Sequence, residues 1–259
     1  MDIADEYLTV DRVAFGTVSA LRLTLSRPDK LNALPLATVR TLTELVTDVT
    51  GDEVDAVVVG GRGDDFCAGV DLADMPDGDA VVEGGRVMHG LVEALRSCPV
   101  PVVTATRGRA FGAGFMLCLG ADIVVATEDT VLGLQEVNLG IPIAGYVTAL
   151  LPRAVGDHRA RDWLLTGREV SASEASDAGL VSRVVPTAEL EDTVAETMSQ
   201  FESSSSTVIS LLKDRMAAPG DTYGRDEFST VAERELDDMR TAVRQGDTEE
   251  RLSAFRSDG

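Results

Sequence analysis

Lysine and histidine are nearly missing from this chain. Among 259 residues the only lysines are Lys30 and Lys213, and the only histidines are His89 and His158. With 23 basic against 44 acidic residues the formal net charge is −21. Such a surface repels polyanions, which argues against nucleic acid and anionic membrane as partners. A phosphate-bearing ligand would need a local cluster of cations. Two isolated histidines also give no Cys/His set from which to build a zinc site, so no metal is expected. A Ser-His-Asp triad would have to use one of them, and neither lies near a nucleophile elbow. His89 falls in an amphipathic helical stretch and His158 at a helix start, and both are expected at the surface.

Cysteine is scarce too. Cys67, Cys98 and Cys118 are odd in number, widely spaced and set in apolar sequence, which reads as reduced, buried thiol in a cytoplasmic protein rather than a disulfide frame. The longest uncharged apolar run, residues 110–121, is too short to span a bilayer. Met1 is followed by Asp2, Asp5 and Glu6 rather than by a basic leader region.

What remains is an ordinary globular composition, 44% hydrophobic and 26% charged. Residues 7–10 and 18–25 read as strands, with Leu21, Leu23 and Leu25 alternating against Arg22 and Thr24. Pro28 breaks the extended run, and Pro35 suits the first turn of a helix carrying Leu36, Val39, Leu42 and Val46 at helical spacing. Residues 56–60, 100–105, 123–126, 131–134 and 180–185 read as further strands, with a helix over 82–95. Ser171 and Glu174 form a capping box for a helix that Gly179 ends. Beyond Thr187 only helices are expected, interrupted at 203–206 and at Pro219-Gly220; one over 225–245 carries Phe228, Val231, Ala232, Met239 and Val243 on one stripe. Strands alternating with helices, then helices alone, give an α/β body over 1–195 and a helical C-terminal region over 196–259.

Three places share a chemical property. Gly112-Ala113-Gly114 stands at the mouth of an apolar helix, where free N–H groups can receive negative charge. Val70 lies in a similar small-residue turn, Cys67-Ala68-Gly69-Val70. Glu136 is an acid in largely apolar sequence just past a strand. Two convergent N–H donors and one partly buried carboxylate suit an enolate beside which a proton moves. Apolar Val137 and Leu139 should raise the Glu136 pKa. A dinucleotide site is a poor fit, because Leu117 stands where the third glycine belongs. Asp64, Asp65, Asp74, Asp77 and Asp79 read as a solvated loop face, although one could supply a second acid.

These residues resemble the crotonase (enoyl-CoA hydratase/isomerase) superfamily. Arg27-Pro28 with Asn32-Ala33-Leu34 resembles its R-P-x-x-x-N-A-L, and Phe66-Cys67-Ala68-Gly69-Val70-Asp71-Leu72 its F-x-A-G-x-D-L. Residues 108–114 resemble its glycine-rich oxyanion turn, 136–140 its glutamate segment, and 165–175 with 179–181 its later helix–strand signature. The resemblance implies a spiral of strand–strand–helix units with a helical C-terminal trimerisation region, and assembly as a homotrimer or a hexamer of paired trimers. It implies an acyl-CoA thioester as partner and no cofactor, since coenzyme A belongs to the substrate. The thioester oxygen would lie between the N–H groups of Val70 and Ala113, with Glu136 catalytic. Ala33, Ala68, Gly69, Asp71, Leu72, Gly112, Met116, Gln135 and Leu139 would shape the acyl-CoA channel. Arg27 or Lys30 would lie near the phosphates, and Lys213 or the Phe255 region could add contacts.

The departures bear on the reaction. The first catalytic glutamate of the family's hydratases falls at Met116, which can neither move a proton nor orient water. Ala113 replaces the usual glycine and would narrow the oxyanion hole. Branches with an aspartate further along the glutamate segment are disfavoured, because the stretch here is Ile143-Ala144-Gly145. One carboxylate suits a 3-enoyl-CoA isomerase. A hydratase or other crotonase-type activity with a replaced first acid, and an acyl-CoA-binding pseudoenzyme, remain as alternatives.

Overall fold

The computed structural model describes residues 5–217, 225–244 and 251. Its strands are β1 (Leu8–Phe15), β2 (Val18–Leu25), β3 (Ala56–Gly61), β4 (Val102–Thr106), β5 (Arg109–Phe111), β6 (Ile123–Thr127), β7 (Val131–Gly133), β8 (Val170–Ser171) and β9 (Arg183–Val185). Its helices are α1 (Leu36–Thr47), α2 (Gly78–Ser97), α3 (Ala113–Gly120), α4 (Val147–Val155), α5 (Asp157–Thr166), α6 (Ala172–Ala178), α7 (Leu190–Ser199), α8 (Ser206–Ala217) and α9 (Arg225–Arg244).

Six strands form one sheet in the order β1-β2-β3-β4-β6-β9, parallel from β2 onward. The β3 stretch Ala56-Val57-Val58-Val59 is wholly buried, as a parallel strand covered on both faces must be. Val57 and Val59 face the main core with α1 and α2, while Val58 and Ala56 face Leu190, Val194 and Met198 of α7. The division expected near residue 195 therefore falls inside a helix that packs on the sheet. A second sheet, β5-β7-β8, stands apart and carries the site.

Several boundaries differ from expectation for local reasons. β1 runs on to Phe15 because it pairs with all of β2 in a hairpin turned at Gly16. α2 begins at Gly78, where the Asp77 carboxylate accepts from Ala80 N at 2.9 Å. β9 starts late because the amides of Leu180 and Val181 close the C-terminus of α6 onto Ala175 O. The capping box is half made: Ser171 Oγ accepts from Glu174 N, but the Glu174 carboxylate turns to Arg168 and Trp163.

The largest correction concerns His89, which is buried rather than on the surface. The stripe of α9 covers that face of α2. His89 Nδ1 donates to Gly85 O (2.7 Å), and Nε2 lies 2.8 Å from Glu235 Oε2. Asp65, Asp74 and Asp77 are likewise not a plain solvated face, since they accept from Arg109 N, Leu36 N and Ala80 N. Pro219-Gly220, the Phe228 side chain, Gln245 and Phe255 lie outside the described residues.

Candidate active site

Short parallel pairings bring the separated motifs together. Cys67 N donates to Arg109 O and Phe111 N to Cys67 O, both at 2.9 Å, so residues 66–70 run alongside β5. On the other side Leu34 N donates to Gly69 O and Asp71 N to Leu34 O, both at 2.8 Å. This ladder passes over Val70, whose own N–H donates to nothing among the described residues. Ala113 is the first residue of α3, and its N–H is equally without a partner, as the opening of a helix requires. A Cβ added to Gly69 would stand 3.9 Å from Ala113 N, so the two free amides border one space.

The two glycines flanking Ala113 serve different ends. Gly112 has φ +51°, and a Cβ there would lie 3.2 Å from Glu136 Oε1. Gly114 packs flat on the neighbouring strand, where a Cβ would sit 2.3 Å from Cys67 O. Gly114→Ala is therefore expected to lower stability by at least about 1–3 kcal/mol, read from urea unfolding, by prising the two oxyanion segments apart. Ala113 itself lies outside the positive-φ region, so its Cβ imposes no backbone strain.

Asn32, from the R-P-x-x-x-N-A-L motif, is a structural pin. Its side chain accepts from Arg27 N (2.8 Å) and donates to Arg62 O (2.9 Å) and Asp65 O (2.7 Å), holding the loop at a φ of +55°.

β7 pairs in parallel with β5, Phe111 against Gly133, and Gly112 N donates to Gly133 O at 3.0 Å. Three residues on, a 3-10 turn over Glu136–Leu139 points the glutamate back at Gly112. Oε2 of Glu136 is closed to solvent and has no hydrogen-bond partner among the described residues. Burial pushes the carboxyl up to about 7, against a hydrogen bond from its own main-chain N–H.

These groups line one cavity of about 800 Å³. Val70, Ala113 and Glu136 border it together with Gly112, Met116 and Gln135. Ala33, Ala68, Gly69, Asp71, Leu72 and Leu139 line it as well. Arg27 and Lys30 do not. Arg27 reaches its wall through Asp71, whose Oδ2 it meets at 2.6 Å, and through Ala33 O at 3.4 Å, while stacking 4.8 Å over Tyr7. Burial raises the Asp71 carboxyl, but the Ala73 N–H and the Arg27 guanidinium outweigh it and hold the pKa low. Lys213 is also absent from the lining; it is buried in an ion pair with Asp122. None of Asp64, Asp65, Asp74, Asp77 and Asp79 lines the cavity, so among the lining residues Asp71 and Glu136 are the only acids.

Met116 is 4% exposed and faces Gly145, where a Cβ would meet its sulfur at 2.9 Å. Sequence reasoning missed Met75, Met88, Phe111 and Arg251 as lining residues, and placed Met239 only on a packing stripe. The available signal was one methionine on each of α2 and α9, Met88 and Met239.

Comparison with known proteins agrees with this geometry. A family model described as enoyl-CoA hydratase/isomerase matches residues 17–255. The 1,2-epoxyphenylacetyl-CoA isomerase of Escherichia coli is 32% identical over 91% of this chain and 91% of its own. A 4-chlorobenzoyl coenzyme A dehalogenase of Arthrobacter is 30% identical over 98% of this chain and 92% of its own. The crystal structure of an enoyl-CoA hydratase from Mycobacterium avium subsp. paratuberculosis superposes with a TM-score of 0.85 at 27% identity, covering 97% of this chain and 96% of that one.

Proposed function

The chain belongs to the enoyl-CoA hydratase/isomerase family, and we propose that within it the protein moves the double bond of a 3-enoyl-CoA to the 2-position, with Glu136 as its single acid/base. The carboxylate of Glu136 takes a proton from C2. The C2–H electron pair flows toward the thioester oxygen as a dienolate, which the N–H groups of Val70 and Ala113 stabilise. Glu136, now protonated, returns the proton at C4, and the dienolate electrons form the C2–C3 double bond. Atoms and charge balance with no water consumed.

One observation carries the reading. Among the described residues the cavity presents a single unpartnered carboxylate near neutrality, and Met116 lines it at the position that the family resemblance gives to the hydratases' first catalytic glutamate. Asp71 is committed to Arg27 and the Ala73 amide. The loop over 143–145 offers Ile143, Ala144 and Gly145, which include no carboxylate for a displacement reaction.

Purified protein assayed with 3-enoyl-CoA and with 2-enoyl-CoA tests this directly. Isomerisation without hydration, lost in Glu136→Gln, is the expected result. Hydration with Met116 in place would favour the hydratase reading, and tight acyl-CoA binding without either reaction would favour a binder.

The apolar side chains of Val208, Leu211, Leu212 and Met216 stand exposed on α8. Such a contiguous apolar face favours self-association, and we propose for the protein the homotrimer or paired trimers that the family resemblance implies. Light scattering should give the mass of three or six chains, and a monomer mass would refute the assignment. Lys30 is exposed beside the Arg27–Asp71 pair, which suits a place near the coenzyme A phosphates. The absence of any helix long and apolar enough to cross a membrane among the described residues fits a cytoplasmic location.

A further inference from the structure

Two successive glycines, Gly84 and Gly85, sit in the interior of α2, where glycine weakens a helix. Each makes room for a methionine. A Cβ on Gly84 would lie 3.1 Å from Met75 Cε, and one on Gly85 would lie 2.3 Å from Met239 Sδ. Gly78, two turns earlier, likewise leaves room for Val243, whose Cγ1 would meet a Cβ at 1.8 Å. α9 is thus seated against the backbone of α2, and Met239 is 4% exposed where it lines the cavity.

One turn before Met239, the Glu235 carboxylate is buried and fully engaged. Oε2 accepts from Tyr146 N (3.1 Å) and lies 2.8 Å from His89 Nε2; Oε1 accepts from Thr148 N (3.2 Å) and from the Thr148 hydroxyl. Four hydrogen bonds from two other elements therefore fix the position of α9. Tyr146 and Thr148 stand at the N-terminus of α4, just after Ile141, Pro142 and Ala144 of the cavity wall.

Away from Glu136 the cavity wall includes Met75, Val81, Met88, Met116, Ile141 and Met239. None of these side chains can pair with a charged or hydroxylated acyl group, whereas flexible thioethers fit irregular apolar chains. We propose that Met239 sets the length of acyl chain accepted, and that Glu235 is the positioning residue that holds Met239 in the wall. The proposal rests on the acyl-CoA reading above, but not on isomerisation.

Calorimetric binding of saturated acyl-CoAs of increasing length tests it without turnover. Affinity should rise about four-fold per methylene until the chain meets Met239, then fall. Met239→Ala should move that limit outward by about two or three methylenes, the three heavy atoms beyond Cβ. Gly85→Ala should move it inward by pushing Met239 into the cavity, and the double variant should recover length tolerance. If Met239→Ala does not fold, the less truncated Met239→Val, one heavy atom smaller than the wild type, should shift the limit in the same direction by about one methylene. Glu235→Gln should blunt the limit, whereas a merely structural loss would lower the melting temperature and leave the length profile unmoved. A 3-enoyl-CoA of a length that binds within this profile but is not isomerised would fail the catalytic reading and uphold this one. A length profile identical in the wild type, Met239→Ala and Gly85→Ala would overturn it.

Discussion

Glu136→Gln is expected to reduce kcat for 3-enoyl-CoA isomerisation toward the upper end of the roughly 10²–10⁴-fold span of general acid–base groups, because one residue both removes and returns the proton. Substrate binding should persist, since Gln keeps the shape of the wall. The wild-type pH profile follows from the same group. Its carboxyl is raised by burial to about 7, and catalysis begins from the carboxylate, so kcat/KM should climb with unit slope below about pH 7 and level above it. Stability runs the other way. The folded pKa lies above the unfolded value of 4.5, so between these values the native state binds more protons and stability falls as pH rises. Above pH 7 this cost is at most about 3 kcal/mol, and Glu136→Gln removes it. The variant should melt higher than wild type at pH 8, with the gap closing at pH 5. A gap that does not change with pH would mean that the carboxyl is not desolvated as the structure has it.

Ala113→Pro removes the oxyanion donor and sets the ring Cδ where the N–H pointed. Proline at the first position of a helix loses an N–H that the helix does not use, and its φ near −65° suits that position. The preceding Gly112 tolerates the neighbour because it has no Cβ. Loss of the donor should cost about 10²–10³-fold in kcat, with the melting temperature nearly unchanged. A variant with wild-type kcat would remove Ala113 from the oxyanion hole. One that unfolds would show that the amide had a structural role instead, contrary to its unpaired state.

The local chemistry of the site was legible in the sequence because it is carried by short motifs. Gly112 and Gly114 announce a close approach, and Val70 and Glu136 follow strands whose hydrophobic runs are plain. The reasons behind the motifs were not legible. Gly112 yields to Glu136 and Gly114 to Cys67 through pairings that join distant segments. Asn32 is only a motif letter until its left-handed backbone and three hydrogen bonds are seen. His89 was misplaced because its partner, Glu235, lies 146 residues away on a helix whose docking no local pattern foretells. For the same reason no local pattern marks Gly84 and Gly85 as seats for Met75 and Met239. Arg27 looked like a free cation, yet Asp71, 44 residues on, holds it. Acidic residues such as Asp77 look solvated in a list of charges and turn out to cap helices.

The central claim is that one buried carboxylate carries the proton from C2 to C4. A 3-enoyl-CoA dideuterated at C2, turned over in ordinary water, tests it most directly. Glu136, whose Oε2 is closed to solvent, should deliver the label it has taken, so the 2-enoyl product should carry one deuterium at C2 and one at C4. A product whose new C4 hydrogen comes wholly from solvent would mean that a second group or a water molecule completes the reaction, and would contradict the account.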